Sequence, residues 1–397
     1  MAAEPGIRDY RGPAFLSYGF RPFFLLGAVH AGLAIPLWLA AFYGELLLDT
    51  AFTSRDWHVH EMIYGYVPAV MTGFLLTAIP NWTGRLPLRG TPLLILVAAW
   101  LAGRVVVAAS AWTGWIVAAG IDALFLFLLL SAVVREVTAG RSWRNLKIAV
   151  LLALLALGNL GFHLEARFEG AADVSIRLGL AVVVILIMVI GGRIVPNFTR
   201  GWLARERPGR LPQPFGRFDI ACIGVSVSAL VLWVALPSAE ATGMALIGGG
   251  MAQLARLVRW AGDRTVGERL VLVLHVGYAF VPLGFLLLGA SAFGVGVPSA
   301  GLHAWASGAI GVMTLAVMTR ASLGHTGQAL TASAATQAIY AAVLLAALAR
   351  IGAALLPEWM TVLLMISGAA WVSAFVGFAL AYGPALCRPT RMATPGR

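Results

Sequence analysis

Apolar residues run through the chain in long blocks, and polar residues gather in short clusters between them. Stretches such as 118–134 and 178–190 hold 17 and 13 residues with at most one charge each. An α-helix needs about 20 residues to cross a hydrocarbon core of about 30 Å, and blocks of this kind recur from end to end. The pattern predicts twelve spans, near 20–42, 58–79, 92–109, 113–133, 147–165, 174–195, 218–236, 240–260, 271–290, 300–319, 332–351 and 358–382. The expected fold is an all-α polytopic membrane protein: one membrane domain over 1–397, with tails at 1–19 and 383–397.

Composition agrees. Of the 397 residues 60% are hydrophobic and 11% charged, against about 45–50% and about 25% in a soluble protein. That is too little charge for a water-facing surface, so the partner of most of the surface is the lipid bilayer. The net charge is +11, which on a soluble chain would suggest nucleic acid. Here the cations follow alternate loops, and no nucleic-acid partner is expected. The set of loops that includes both termini holds 23 of the 28 Lys and Arg residues, the opposite set only Arg55, Arg167, Arg177 and Arg350. By the rule that cytoplasmic loops collect Arg and Lys, both termini face the cytoplasm. The segment 200–217, rich in Arg, Pro and Gly, is the longest expected loop and faces anionic lipid. Cys222 and Cys387 are isolated, so no disulfide framework is expected, and no CxxCH motif attaches a c-type haem. The first residues are polar, with no small-residue cleavage pattern after them, which argues against a removable signal peptide.

Three spans end alike. The second closes Ile79-Pro80-Asn81-Trp82-Thr83-Gly84-Arg85, the sixth Val195-Pro196-Asn197-Phe198-Thr199-Arg200 and the tenth Val317-Met318-Thr319-Arg320. The threonines are 116 and 120 residues apart, four spans each time. Two readings stay open. Pro and Asn close helices and Arg marks an interface anywhere, or the chain is a threefold repeat of four helices. An even-numbered repeat keeps its orientation, unlike the inverted repeats of many transporters.

A charge inside the bilayer is expensive unless paired. Arg104 in the third span and Asp122 in the fourth come to nearly the same depth at 1.5 Å per residue. They are read as an ion pair, with a proton relay as the alternative. The seven histidines are the plausible metal ligands. His58, His60, His163 and His303 lie at one face, the periplasmic one; His275 lies in the inner third of the ninth span and His325 after the tenth. His30, near mid-membrane, reads as a packing residue. Neutral imidazole binds haem iron, copper and zinc. His58 and His60 diverge by about 200° on a helix, so the two serve different sites unless that turn is irregular.

The motifs carry a resemblance. Gly19-Phe20-Arg21-Pro22-Phe23-Phe24 opens the first span and Trp57-His58-Val59-His60-Glu61-Met62 the second. Gly191-Gly192-Arg193-Ile194-Val195-Pro196 and Met318-Thr319-Arg320-Ala321-Ser322-Leu323-Gly324-His325-Thr326-Gly327 follow later. From residue 15 to about 380 the chain resembles the NnrS family of bacterial inner-membrane proteins. The resemblance implies about twelve helices, haem and copper, and a role in nitric oxide metabolism and resistance to nitrosative stress. The family's histidine motifs are matched at His58, His60, His163, His275, His303 and His325. Twelve helices in three fours are also similar to subunit I of haem-copper oxidases, where histidines on spans 2 and 10 hold a haem. On that likeness His60 (or His58) and His303 become axial ligands of a haem b. His58 and His163 form a second metal site with copper in view, and Glu61 is a proton donor or hydrogen-bond partner. His275 and His325 ligate a second haem or, with Arg320, bind its propionates. No histidine occurs on spans 6 or 7, where that family holds its copper. The expected function is binding or turnover of nitric oxide or iron-nitrosyl species, with an electron donor that the sequence does not name. The alternatives are a transporter or efflux protein with structural histidines and a haem-based sensor without turnover.

Overall fold

The computed structural model describes residues 10–389; the ends of both expected tails lie outside them. The described chain is all helix, with no strand. Eleven helices are long and apolar enough to cross a membrane. They are α1 (Phe20–Phe42), α2 (Ser54–Thr83), α3 (Thr91–Ala108), α4 (Trp115–Ala139), α5 (Trp143–Phe168), α6 (Asp173–Glu206), α7 (Arg217–Ala235), α9 (Arg269–Ser291), α10 (Pro298–His325), α11 (Ala334–Leu355) and α12 (Pro357–Cys387). The remaining long helix, α8 (Glu240–Val258), has 19 residues. Gln253 and Arg256, both buried, and its run of glycines lower its hydropathy below that of the others. The chain is a multi-pass membrane protein.

Several helices outrun the spans expected from the apolar blocks. α2 begins at Ser54 rather than 58 because Thr53 caps it, its hydroxyl accepting from the Asp56 N–H at 3.1 Å. α5 runs on to Phe168 and α6 to Glu206. The expected long loop at 200–217 therefore shrinks to 207–216. It is also pinned: the Arg264 guanidinium donates to the Arg207 and Pro208 carbonyls at 2.9 and 3.0 Å, and also to that of Arg210. Helix α12 continues to Cys387, past the expected start of the tail at 383.

Two compact units make up the fold. The first comprises the chain to Gly179, Met318–Ala329 and the chain from Phe375; the second comprises Leu180–Val317 and Leu330–Ala374. In the first, α2 packs on α1 and α4, α3 on α4, and α4 on α5. In the second, α8 lies between α7 and α9, and α9 packs on α10.

The three spans that end alike share a further feature. Each contains a π-helical segment: Glu61–Tyr66 in α2, Ile187–Gly191 in α6 and Ala304–Ile310 in α10. Proline and hydroxyl side chains interrupt or share the ladder beside them. Pro68 has no N–H to give the Tyr64 carbonyl, and Pro196 none to give Gly192. In α10 the Ser307 hydroxyl donates to the His303 carbonyl at 2.6 Å. Such segments are frequent at functional sites. Here two begin directly after a histidine, His60 and His303.

Candidate functional site

The first unit buries a cluster of ionisable side chains around Asp122 of α4. Asp122 is 2% exposed, Glu61 2%, His60 0%, His163 3% and Asn159 0%. Arg104 of α3 supplies the positive charge. Its Nη2 pairs with Asp122 Oδ1, and its Nη1 donates to Glu61 Oε1 at 2.6 Å. The ion pair expected from depth therefore exists, and it is part of something larger.

Around the second oxygen of Asp122 three side chains converge. Asn159 Nδ2 donates to Oδ2 at 2.9 Å, and the Nε2 atoms of His60 and His163 each lie 3.1 Å from it. His60 Nε2 is also 3.0 Å from Asn159 Oδ1, and its Nδ1 is 3.2 Å from Glu61 Oε1. Phe52, Tyr64 and Phe162 ring His60 with centroids 5.1, 5.7 and 5.0 Å away. Glu61 Oε2 reaches His30 Nε2 at 3.1 Å. His30 is thus tied to the edge of the network as a hydrogen-bonded packing residue, and its ring sits edge-on to Trp100.

Backbone geometry makes this possible. Gly65, inside the π-helical segment of α2, faces Arg104: a Cβ there would lie 2.5 Å from Nη1. Only glycine allows the guanidinium that close, and the Trp100 indole secures the turn by donating to the Gly65 carbonyl at 2.9 Å. On α2 the two neighbouring histidines diverge as helix geometry requires. His60 faces Asp122, while His58 stacks on Trp38 of α1 at 4.1 Å. His58 therefore does not join His163.

The donor set fits a metal ion. One ligand atom each from His60, Asp122 and His163 lie within 4.8 Å of one another. A metal about 2.1 Å from nitrogen and oxygen ligands separates neighbouring ones by about 3.0 Å in an octahedron, the spacing seen between Asp122 and each histidine. Charge agrees as well. Two carboxylates face one guanidinium, leaving a negative charge that a buried site must neutralise. His60 has acceptor oxygens at both nitrogens, so a neutral ring would set its lone pair against an oxygen; a second ring proton or a metal ion there removes the conflict. Two imidazoles and a carboxylate suit iron, copper or zinc rather than a soft thiolate-binding ion.

A porphyrin does not fit at His60 in this arrangement, because three aromatic rings and two acceptor side chains enclose it. The other histidines differ. In the second unit His303 donates its Nδ1–H to the Ser299 carbonyl at 2.7 Å, which puts the lone pair on Nε2, as in most metal-ligating histidines. In the same unit Thr199 gives its hydroxyl proton to the Val195 carbonyl at 2.8 Å, so the His275 Nε2–H donates to Thr199 at 2.7 Å. The lone pair of His275 then sits on Nδ1, packed against Gly262, where a Cβ would come within 2.6 Å. In the first unit His325 packs on Tyr18 and Phe20 with centroids 5.7 and 5.4 Å away. Arg320 lies five residues before it on α10, about 140° round the helix, so the two point to different sides.

Sequence reading thus named His60, His163 and Glu61 and paired Asp122 with Arg104, but it did not join Asp122 to the histidines and did not name Asn159. Depth was the available signal. With α2 starting at Ser54 and α5 ending at Phe168, His60 and His163 lie one to two turns inside their helices, level with Asp122.

No curated protein and no solved structure matches the chain. The family model described as NnrS protein matches residues 14–390, nearly the whole chain, and it covers every residue of the buried cluster. The chain belongs to the NnrS family, membrane proteins of nitric oxide-related metabolism.

Proposed function

We propose that this protein is a metal-containing membrane protein that binds or turns over nitric oxide, with His60, Asp122 and His163 holding copper or another transition metal. The observation that carries the reading is the convergence of these three buried donors around one carboxylate oxygen. Three protein ligands leave coordination positions open, and a metal bound there would offer them to a diatomic ligand.

The remaining residues have definable work. Arg104 holds both carboxylates in place through separate nitrogens. Asn159 orients Asp122, and Glu61 accepts the Nδ1 proton of His60, which keeps Nε2 for the metal. Phe52 and Phe162 close the site to water. The allocation differs from the sequence expectation: His60 serves the metal triad instead of a haem, Asp122 joins it as a ligand, and His58, stacked on Trp38, leaves the site it was expected to share with His163. A haem b belongs at His303, whose hydrogen bond to Ser299 sets up the ligating nitrogen. The second haem expected at His275, His325 and Arg320 is not carried further, because the His275 lone pair faces Gly262 and Arg320 and His325 point to different sides of α10; the electron donor is a separate protein or quinol. The positive-inside distribution supports a bacterial inner-membrane location with both termini in the cytoplasm.

Metal analysis of purified protein, with a reduced-minus-oxidised spectrum and a nitric oxide electrode trace, tests this. The expected result is bound transition metal, a haem spectrum that changes in His303→Ala, and consumption or binding of added nitric oxide. A colourless preparation without metal overturns it. It would favour the transporter reading, to which a buried charge cluster also lends itself.

A further inference from the structure

Arg350 stands in the second unit without a counterion. Among the described residues it makes no hydrogen bond, ion pair or ring contact, and it lies within α11, five residues before the helix ends at Leu355. Glu358, the only acidic residue after Glu268, is exposed beyond that end. The guanidinium does not simply face lipid. Val343, Ala346 and Ala347 are 0% exposed, and Arg350 follows them by seven, four and three residues, the spacing of one helix face. Leu345 and Leu348, on the other side, are 51% and 59% exposed. A cation on the inward face of a spanning helix needs an anion beside it.

The packing of α11 on α10 indicates which anion. Val343 faces α10, where a Cβ on Gly311 would lie 3.5 Å from its Cγ2, and a Cβ on Gly296 would lie 3.6 Å from Leu355 Cδ2. The two contacts fix an antiparallel register. His303 stands eight residues before Gly311 and Arg350 seven after Val343, so the two are level to within about 2 Å at 1.5 Å per residue. Arg350 shares the face of Val343, the one turned to α10. His303 lies two residues from both Gly301 and Trp305, which face α9: a Cβ on Gly301 would meet Leu288, and the Trp305 indole donates to the Val281 carbonyl at 2.9 Å. The imidazole therefore leaves α10 on a side away from α9. Neighbouring helices lie about 8–10 Å apart, which brings imidazole and guanidinium within the span of one porphyrin. Haem carries two carboxylates on one edge, and a guanidinium fork matches a carboxylate bidentately.

We infer that Arg350 binds a propionate of the haem that His303 ligates. The inference rests on the haem reading above, and its test separates the two. Full-length protein from haem-starved cells is titrated in detergent with protoporphyrin IX and with its dimethyl ester, whose carboxylates are blocked, and binding is read by quenching of tryptophan fluorescence. Neither probe carries iron, so neither reports ligation by His303. The parent should bind the free acid at least tenfold more tightly than the ester. Arg350→Gln should lose that preference and Arg350→Lys should keep part of it. Equal binding of acid and ester by the parent overturns the inference, as does an undiminished preference in Arg350→Gln. If Arg350→Gln fails to fold, the parent contrast and Arg350→Lys decide. A haem spectrum that depends on His303, without preference for the acid, overturns this inference alone; absence of any haem spectrum overturns the reading on which it rests.

Discussion

Asp122 is the residue on which the candidate site turns. Its Oδ1 answers Arg104, while its Oδ2 collects Asn159, His60 and His163. Two substitutions separate its roles. Asn159→Ala removes an orienting hydrogen bond and leaves the ligands, so metal affinity should fall about 10- to 100-fold with the fold intact, as measured by metal titration of the purified protein. Arg104→Met leaves both carboxylates buried without their cation and should destabilise the protein by about 3–5 kcal/mol, read as a lower thermal unfolding midpoint. A midpoint close to that of the parent would mean that the site does not need its internal cation. Gly65→Ala probes the same contact from the backbone side. Its Cβ would meet Arg104 Nη1 at 2.5 Å, and overpacking of this kind costs about 1–3 kcal/mol.

At the scale of the element, the π-helical segments set the direction of the site. One inserted residue turns the preceding part of a helix by about 100° relative to the rest, so the segment Glu61–Tyr66 decides which way His60 faces. Pro68→Ala returns a ladder donor to the Tyr64 carbonyl. The expected outcome is unchanged helix content by circular dichroism with at least a tenfold loss of bound metal; retained metal would show that the turn is held by packing alone. The loop 207–216 behaves differently. Its link from Arg210 to Asp263 is exposed on both sides, 53% and 65%, and Arg210 holds the Asp263 carboxyl below its usual range. The stabilisation from that depressed group is present above the unfolded carboxylate range and is lost as pH falls through the folded value. A surface pair contributes about 0–1 kcal/mol, so the effect is small beside that of Arg104.

For the whole molecule, the proposed orientation can be read from the native cysteines. Cys387 is exposed at the end of α12 and Cys222 is buried in α7. A membrane-impermeant maleimide should label Cys387 in inverted inner-membrane vesicles but not in intact spheroplasts, and Cys222 in neither. Labelling from the outside would reverse the topology. Two cations in the cytoplasmic count are not surface charges. Arg21 donates to the carbonyls of Ala385, Leu386 and Arg388, and Arg256 is fully buried against Asp219. The loop bias is strong enough to survive their removal.

Fold class and the level of each charge along its helix follow from the amino-acid sequence alone; of the twelve spans expected, eleven are long and apolar enough to cross a membrane. Lipid as solvent admits only closed hydrogen-bond ladders, and rise per residue converts position into depth. The Arg104–Asp122 pair was legible on that basis. Depth says nothing about direction round a helix axis, however. Whether His58 or His60 faces Asp122 depends on where α2 starts and where its ladder slips: Thr53 caps the start, Pro68 lacks a ladder donor, and Gly65 gives room to Arg104 of α3 and His30 of α1. Asn159, one polar residue among the apolar ones of α5, carried no sign of its role. Only tertiary packing brings it and His163 within hydrogen-bond reach of one carboxylate, because that juxtaposition depends on how three helices rotate against each other.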